Sequence, residues 1–230
     1  MAEIHSLSLS LQAVTKRYAR APIFSPVTFE VGGSEIVAIT GANGSGKSTL
    51  LKIIAGVTEP TKGKCTWKID QTYLANRENV RGREISSIPR EIQKTLGYVS
   101  PYLELYNELT AVEHVEFVAE LKGEKITKEE AINELISFGL DKEIAASDRT
   151  MNQYSSGMQQ RVRLAMAFNS KPKILLLDEP SSNLDEEGIQ TLFSKLDKYV
   201  IDGSIVIIAT NDEREKNLAS REIALLPFTK

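Results

Sequence analysis

Residues 41–48 match the pattern G-x-x-x-x-G-K-[ST] at every fixed position. The apolar run of residues 36–39 precedes this segment, and residues 48–55 have the apolar spacing of a helix that Gly56 would end. A strand, a glycine-rich turn and a helix in this order constrain the chain to an α/β fold. Glycines allow successive backbone N–H groups to face one anion, and the helix N-terminus adds the positive end of its dipole. Residues 41–48, called the phosphate loop below, therefore predict a phosphate-binding site.

The phosphate loop supplies most of the candidate ligands. Lys47 is expected to reach the β- and γ-phosphates of a nucleotide, and the Ser48 hydroxyl is expected to hold Mg²⁺. The predicted nucleotide-binding residues here are Gly41, Asn43, Gly44, Ser45, Gly46, Lys47, Ser48 and Thr49. The alternative, a glycine-rich turn without a ligand, is disfavoured because the strand, the complete motif and the helix occur together.

Two further apolar runs, residues 174–177 and 205–209, predict strands that are buried on both faces of a parallel sheet. Each run ends in polar residues: Asp178 and Glu179 follow the first run, and residues 210–212 follow the second. Because ligands bind beyond the carboxyl ends of parallel strands, these side chains are candidates for the same site.

Asp178 and Glu179 predict the reaction chemistry. If their strand is a neighbour of the strand before the phosphate loop, Asp178 would hold Mg²⁺ through water, and Glu179 would orient or deprotonate an attacking water. Two adjacent carboxylates at the end of an apolar strand need a cation or hydrogen bonds to offset their desolvation. A plain solvated strand end is the weaker alternative.

A third motif, residues 154–161, reads Tyr-Ser-Ser-Gly-Met-Gln-Gln-Arg and opens a helix that is predicted to run to about Phe168. Ser and Gly at a helix start favour anion binding. With this motif the sequence resembles the ATP-binding-cassette (ABC) ATPases, specifically a stand-alone nucleotide-binding subunit of a transporter. Residues 154–161 are similar to the family signature, residues 174–180 to its Walker B segment with the adjoining catalytic glutamate, and residues 182–185 to its D-loop. The resemblance covers nearly the whole chain.

The resemblance implies a fold class and a domain organisation. The class is α/β, with a phosphate-loop (RecA-like) core on a parallel sheet, an N-terminal antiparallel β subdomain and an inserted α-helical subdomain. Residues 1–230 would form a single ABC ATPase domain. Residues 1–99 and 171–230 would hold the core and the β subdomain, and residues 100–170 the helical subdomain with the signature.

The resemblance also implies a site that two subunits share. ATP and Mg²⁺ would be bound, with Tyr18 stacked on the adenine, although a core tyrosine is an open alternative for Tyr18. Ser155 and the Gly157 backbone would contact the γ-phosphate held by a second subunit, in a homodimer or in a heterodimer with another ABC ATPase. ATP would close this sandwich dimer and hydrolysis would loosen it. Integral membrane transporter subunits would hold the chain at the cytoplasmic face of the cell membrane.

Three positions depart from the family pattern. The Gln expected after residues 97–98 is absent, and Pro101 or Tyr102 stands in its place, so no residue is assigned that role. Asn211 stands where the switch histidine is expected, and Asn can hydrogen-bond phosphate or water but cannot become cationic. Ser156 replaces the first signature glycine, which is a mild change. The predicted catalytic residues are Lys47, Glu179 and Asn211. We therefore expect normal Mg-ATP binding with slow hydrolysis in the absence of partners.

Charge and hydropathy limit the other functions. Lys and Arg number 28 against 31 Asp and Glu, so no nucleic-acid partner is expected. No stretch approaches the roughly 18 apolar residues of a membrane span. Cys65 is the only cysteine, which excludes an intrachain disulfide. Two rival functions stay open: a soluble ABC ATPase of assembly or repair, and a weakly hydrolysing ATP-binding regulator.

Overall fold

The structure of the chain, a computed structural model, describes residues 7–18, 21–69 and 93–228. Part of the predicted 1–99 segment lies outside the described residues. The strands in chain order are β1 (Leu7–Thr15), β2 (Arg17–Tyr18), β3 (Ala21–Pro22), β4 (Val27–Gly32), β5 (Glu35–Thr40), β6 (Lys62–Ile69), β7 (Leu96–Val99), β8 (Ile174–Asp178), β9 (Ile205–Ala209) and β10 (Arg221–Ala224). The helices are α1 (Lys47–Ile54), α2 (Ala111–Lys122), α3 (Lys128–Ser137), α4 (Lys142–Ala145), α5 (Ser156–Phe168), α6 (Glu186–Ile201) and α7 (Glu213–Lys216).

Two sheets organise the described ranges. The larger sheet is parallel and has the strand order β10-β5-β9-β8-β7. The second sheet is antiparallel, with the order β4-β1-β6, and β2 and β3 form a short hairpin beside it in the chain. This arrangement confirms the predicted α/β class, with its parallel core sheet, antiparallel β layer and helices.

Strand β9 explains why continuous apolar runs become interior strands. Ile205 and Ile207 belong to a core that includes the antiparallel sheet and α1, whereas Val206 and Ile208 belong to a second core with α2, α3, α5 and α6. Every residue of β8 and of β9 is buried. A strand that is covered on both faces needs apolar side chains at consecutive positions. Residues 174–177 and 205–209 were predicted to form strands that are buried on both faces of a parallel sheet, and this prediction is confirmed.

Local side chains set the helix ends. Thr127 caps α3 in a capping box, because its side chain accepts from the Glu130 N–H while the Glu130 carboxylate accepts from the Thr127 N–H at 2.8 Å. Asp185 caps α6 and Ser155 caps α5 through the side chain alone, each accepting a backbone N–H of the first turn. Caps of this kind contribute about 1 kcal/mol each. They fix where α5 and α6 begin, and both starts lie close to the site described below.

Strand register brings the ends of the central strands to one edge of the parallel sheet. Ala209 of β9 is paired with Ile39 of β5 on one side and with Asp178 of β8 on the other. Val99 of β7 is in turn paired with Leu177 of β8. The phosphate loop and the segments that follow β7, β8 and β9 therefore meet at this edge.

The helices α2 to α5 lie within residues 100–170, between β7 and β8 in the chain. Their apolar side chains share one core with β8, β9 and α6. The limits of a separate helical subdomain stay a prediction. Across the described residues, no helix combines the length and the apolar character needed to cross a bilayer.

Candidate active site

The phosphate loop is closed by contacts among its own residues. The Ser45 N–H donates to the Ala42 carbonyl at 3.0 Å, and the Lys47 amino group donates to the Gly41 carbonyl at 2.8 Å. Lys47 is buried, so its charge lies back across the loop. The Ser45 hydroxyl is also buried and has no hydrogen-bond partner among the described residues. Because α1 begins at Lys47, within the last residues of the loop, its first N–H groups, including that of Thr49, open toward the same place.

Two glycines of the phosphate loop are required by its packing. Gly46 has a φ of 101°, and a Cβ there would lie 2.5 Å from Ile23 Cγ2 and 2.8 Å from Phe24 Cδ1. Gly41 has a φ of 145°, and a Cβ there would lie 2.7 Å from the Leu225 carbonyl oxygen. Side chains do not tolerate contacts this short, and the positive φ adds strain for any other residue. The loop thus keeps its shape only with glycine at these positions.

Asp178, at the end of β8, lies beside the start of α1. The sequence left open whether β8 is the direct neighbour of β5, and it is not, because β9 lies between them. Asp178 reaches α1 nevertheless, since α1 packs over both β8 and β9 and brings Ser48 to the carboxyl group. Burial raises the pKa of Asp178, while hydrogen bonds from Ser48 and Ser100 and the charge of Lys47 act in the opposite direction.

The residues at this edge fit a magnesium ion. In the described ranges, no group of three or more His, Cys, Asp or Glu side chains could hold a metal by itself. Proteins usually hold Mg²⁺ with one or two carboxylates, and substrate phosphates and water complete its octahedron. Ser48 and Asp178 offer one hydroxyl and one carboxylate of this kind. The buried charge of Asp178, whose pKa burial raises, is one that a cation would compensate.

Glu179 and Asn211 line one cleft beside the phosphate loop, which we call the acidic cleft. Its volume is about 290 Å³, and its lining residues are Asn43, Glu179, Ser181, Ser182, Thr210, Asn211, Asp212 and Glu215. The Asn211 Nδ2 donates to Asn43 Oδ1 at 2.8 Å, which joins the end of β9 to the phosphate loop. Glu179 is exposed and has a φ of 47°, a strained conformation for a residue other than glycine. An exposed carboxylate held at the cleft in this way can accept a hydrogen bond or a proton from water.

Glu215, in α7, is a cleft residue that the sequence reasoning missed. It is only 1% exposed, and its Oε1 accepts from the Ser181 N–H at 2.8 Å. Its Oε2 has no hydrogen-bond partner within the described part of the chain. Burial is the main cause that raises the pKa of Glu215, and the charge of Asp212 adds to it. Glu215 stands in a charged segment, so no local pattern distinguishes it from its exposed neighbours.

Ser100 is a second residue that was missed. It follows β7 directly, and its hydroxyl donates to Asp178 Oδ2 at 3.2 Å. Ser100 lies beside Asp178 because β7 is paired with β8. The sequence of either segment alone does not reveal this pairing, so the role of Ser100 could not be predicted.

The signature residues stand at the exposed start of α5. Ser155 and Ser156 are exposed. Gly157 packs against the loop that follows β8, because a Cβ there would lie 2.7 Å from the Asn183 carbonyl oxygen. The buried Gln160 donates from Nε2 to the Pro180 carbonyl at 2.8 Å, so it strengthens the same contact. The signature helix is thus attached to the segment that carries Glu179.

Arg161 adds a further link between α5 and the start of α6. One guanidinium nitrogen donates to Asp185 Oδ1 at 2.6 Å, and the other donates to the Phe138 carbonyl at 2.6 Å. Asp185 therefore caps α6 and pairs with α5 at once. These contacts hold α5 and residues 179–185 in a fixed relation.

Tyr18 lies in the β2–β3 hairpin, and 57% of its surface is exposed, so the alternative of a core tyrosine is excluded. The Lys16 Nζ lies 5.4 Å from the centroid of its ring. The hairpin leads into Ile23 and Phe24, which pack against Gly46 of the phosphate loop. The ring is therefore available for stacking on the same side of the molecule, and its contact with adenine stays a prediction.

The fold and the site together define a phosphate-loop nucleotide-binding protein of the cassette type. The family model described as ABC transporter matches residues 24–182, which is more than half of the chain. The chain therefore belongs to the ABC transporter family.

Individual relatives agree with this assignment. The lipoprotein-releasing system ATP-binding protein LolD 1 of Chlorobium chlorochromatii is 33% identical over 213 residues, which cover 91% of this chain and 82% of the relative. The LolD protein of Bacteroides thetaiotaomicron is 31% identical over 229 residues, which cover 96% and 98%. The solved dimeric structure of the bacterial ABC transporter cassette MJ0796 superposes with a TM-score of 0.78 at 28% identity, and the match covers 95% of this chain and 94% of that one. The chain is accordingly an ATP-binding and ATP-hydrolysing subunit that powers an ABC transporter.

Proposed function

We propose that this subunit binds Mg-ATP at the phosphate loop, hydrolyses it in the acidic cleft and completes the site with a second subunit. One observation carries the proposal: the phosphate loop, Asp178, Glu179 and Asn211 converge on one edge of the parallel sheet. The predicted adenine contact is Tyr18. The predicted phosphate contacts are the glycine-rich backbone, Lys47 and the first turn of α1.

Ser48 and Asp178 would hold the magnesium ion. When bound, Mg²⁺ would neutralise charge on the β- and γ-phosphate oxygens. Lys47 would leave the Gly41 carbonyl and donate to the same phosphates. The Ser45 hydroxyl, which is buried without a partner among the described residues, could donate to a phosphate oxygen as well.

Hydrolysis would use Glu179 at the mouth of the cleft. Its carboxylate would accept a proton from the attacking water as the water oxygen bonds to the γ-phosphorus and the bond to the bridging oxygen breaks. The Asn211 amide, fixed by Asn43, would hydrogen-bond the water or a γ-phosphate oxygen. Since Asn cannot become cationic and the family Gln is absent, slow turnover of the isolated protein is expected.

A second subunit would supply Ser155 and Gly157 across the nucleotide. The exposure of Ser155 and Ser156 and the N-terminus of α5 support this assignment, because a helix start favours phosphate. The partner subunit would be a second copy or another ABC ATPase. Membrane subunits would then hold the dimer peripherally at the cytoplasmic face of the membrane. The two LolD relatives are named as ATP-binding proteins of a lipoprotein-releasing system. Export is therefore the transport direction that we would test first.

ATP hydrolysis by the purified protein tests the catalytic assignment. We expect a slow steady-state rate that Glu179→Gln lowers by about 100-fold or more while ATP still binds. Glu187→Gln changes an exposed acid in the first turn of α6 and should leave the steady-state rate and ATP binding unchanged. Lys47→Ala should abolish ATP binding, whereas Lys142→Ala, at an exposed position, should not.

Single-turnover hydrolysis separates the rival functions. A rate indistinguishable from that of Glu179→Gln would favour an ATP-binding regulator over an ATPase. Fast turnover of the isolated protein would contradict the expected effect of Asn211 and the missing Gln. Purification of the tagged protein from membranes in mild detergent should bring down integral membrane subunits, and recovery from the soluble fraction alone would favour an assembly or repair ATPase.

A further inference from the structure

The backbone of Glu179 is held in an unfavourable conformation. Its φ of 47° lies in the left-handed region, which residues other than glycine adopt only at a cost. Pro180 follows it, and a residue that precedes proline favours extended conformations. On the upstream side, the Glu179 N–H donates to the Ala209 carbonyl of β9 at 2.9 Å. A conformation of this kind persists only where surrounding contacts over-determine it, so contacts on the downstream side must contribute as well.

The peptide group between Pro180 and Ser181 supplies these downstream contacts. Its carbonyl accepts from Nε2 of Gln160, in α5, at 2.8 Å. Its N–H donates to Glu215 Oε1, in α7, at 2.8 Å. Because a peptide group is planar, fixing both of its polar atoms fixes its orientation. The backbone is therefore anchored on both sides of Glu179.

The side chain of Gln160 is buried at a cost that packing alone does not explain. It is 0% exposed. A carbonyl can only accept, so the amide nitrogen is the end that faces Pro180, and Oε1 has no hydrogen-bond partner within the described ranges. A buried acceptor without a partner is destabilising, and an unbranched methionine would fill a similar volume without one. The feature that distinguishes Gln160 from an apolar residue is its donor.

The joint between α5 and the start of α6 does not depend on this donor. Arg161 donates to Asp185 Oδ1 at 2.6 Å, and this contact remains when Gln160 is changed. Loss of the Gln160 amide frees only the Pro180 carbonyl, which belongs to the residue directly after Glu179. The effect of Gln160 is thus confined to the backbone around the catalytic carboxylate.

We infer that Gln160 is a positioning residue for Glu179. Its hydrogen bond to Pro180 keeps the φ of Glu179 positive and the carboxylate at the mouth of the acidic cleft. Without this bond the backbone of Glu179 relaxes toward negative φ, and the carboxylate leaves the place where it accepts the proton of the attacking water. The inference rests on the proposed function, since it takes Glu179 as the base. Binding of ATP at the phosphate loop does not depend on Gln160.

Single-turnover hydrolysis by Gln160→Met measures this effect. The rate at saturating ATP should fall by about 20-fold, because a small displacement of a catalytic group is costly. The Kd for ATP should change by less than about twofold, since the phosphate loop is untouched. Urea unfolding of the same protein establishes that the variant is folded.

Gln159→Met is the matched control. Gln159 also donates from its amide to carbonyls, those of Met151 and Tyr154, but these lie ahead of α5 and not beside Glu179. The rate should fall by less than about threefold. Equal losses in the two variants would assign the effect to the start of α5 and would overturn the inference.

The same substitution in a Glu179→Gln background separates positioning from a general structural role. Once the carboxylate is absent, its position no longer matters. Adding Gln160→Met should therefore lower the residual single-turnover rate by less than about twofold. A loss of about 20-fold in both backgrounds would mean that Gln160 acts independently of Glu179, which contradicts the inference.

Gln160→Glu provides a second test if Gln160→Met does not fold. The introduced carboxyl has nearly the same size, donates to the Pro180 carbonyl when protonated and cannot donate when ionised. The rate relative to wild type at the same pH should fall as pH rises through the pKa of this carboxyl. A constant ratio from about pH 5.5 to about pH 8.5 would count against the donor.

Failure of the inference and failure of the proposed function give different results. A wild-type rate that requires Glu179 but is unchanged in Gln160→Met would overturn the inference and leave the proposed function intact. A wild-type chain that binds ATP but hydrolyses it no faster than Glu179→Gln would overturn the proposed role of Glu179 itself.

Discussion

The phosphate loop and the acidic cleft meet at one edge of the sheet, but they are built differently. In the phosphate loop, Lys47 bonds to Gly41, which is only six positions away. In the acidic cleft, Ser181 bonds to Glu215 across 34 positions, and Asn43 bonds to Asn211 across 168. The phosphate loop is thus a continuous piece of chain between one strand and one helix, whereas the cleft exists only when β8, β9 and α7 are packed together.

This difference separates binding from turnover. A continuous loop whose shape is fixed by its own glycines should bind nucleotide even when the cleft is damaged. Because the acidic cleft is assembled from distant segments, damage to it should first reduce ATP turnover and the closure of the two subunits. Nucleotide binding should be lost only later. The following changes are ordered from the largest expected effect to the smallest.

Gly46→Ala should have the largest effect, because the new Cβ would lie 2.5 Å from Ile23 and 2.8 Å from Phe24. We expect the free energy of unfolding to fall by about 2–4 kcal/mol. ATP affinity should fall by about 100-fold, since the loop must shift away from the phosphates. Urea unfolding and ATP titration measure the two quantities.

Gly44→Ala is the matched control for this change. Gly44 also has a positive φ, 80°, but a Cβ there meets no atom within 4 Å. Only the backbone penalty of about 1 kcal/mol should remain. Equal losses in the two variants would show that steric contact with Ile23 and Phe24 does not fix the loop.

The same contrast explains which parts of the molecule could be predicted from the sequence. Gly41, Lys47 and Ser48 lie in one motif, and the apolar runs of β8 and β9 follow directly from burial on both faces. Ser100 and Glu215 could not be predicted, because each acts on a residue fixed only by strand register or helix packing. The position of β9 between β5 and β8 could not be predicted for the same reason: apolar runs predict strands but do not give their order in the sheet.

Glu215→Ala should have an intermediate effect that falls on turnover. Removing the carboxyl leaves the buried Ser181 N–H without its acceptor, which costs about 1–3 kcal/mol of stability. Ser181 is two residues from Glu179, so kcat should fall by about tenfold with a nearly unchanged KM for ATP. Steady-state kinetics and urea unfolding provide the measurements.

Glu215→Gln keeps an acceptor for Ser181 and should retain most of the turnover. It should also change the pH dependence of stability. Burial raises the folded-state pKa of Glu215, so its contribution is complete below the unfolded pKa and is lost as pH rises through the folded pKa. The Gln variant should gain stability over wild type toward neutral pH, and a constant difference between pH 4 and pH 8, taken as approximate limits, would refute this role.

His114→Phe should have the smallest effect, because His114 belongs neither to the phosphate loop nor to the acidic cleft. His114 is 1% exposed; its Nδ1 contacts the Thr110 carbonyl at 2.8 Å, and its Nε2 accepts from the Tyr106 N–H at 3.0 Å. Losing the acceptor should cost about 1 kcal/mol near neutral pH, with ATP binding unchanged.

The pH dependence of this loss identifies the neutral ring as the cause. Burial lowers the pKa of His114, so its stabilising contribution is complete above the unfolded pKa and is lost as pH falls through the folded pKa. The stability difference between wild type and His114→Phe should therefore shrink in acid. Unfolding curves that stay equally far apart at every pH would count against a neutral His114 in the fold.

Sedimentation velocity of Glu179→Gln with and without Mg-ATP tests the central claim most directly. With an intact phosphate loop and a cleft that no longer hydrolyses ATP, the variant should form a dimer with Mg-ATP and be a monomer without it. Addition of Lys47→Ala to Glu179→Gln should abolish the dimer, because the nucleotide no longer binds. A Glu179→Gln protein that binds ATP and stays monomeric would contradict a site shared between two subunits.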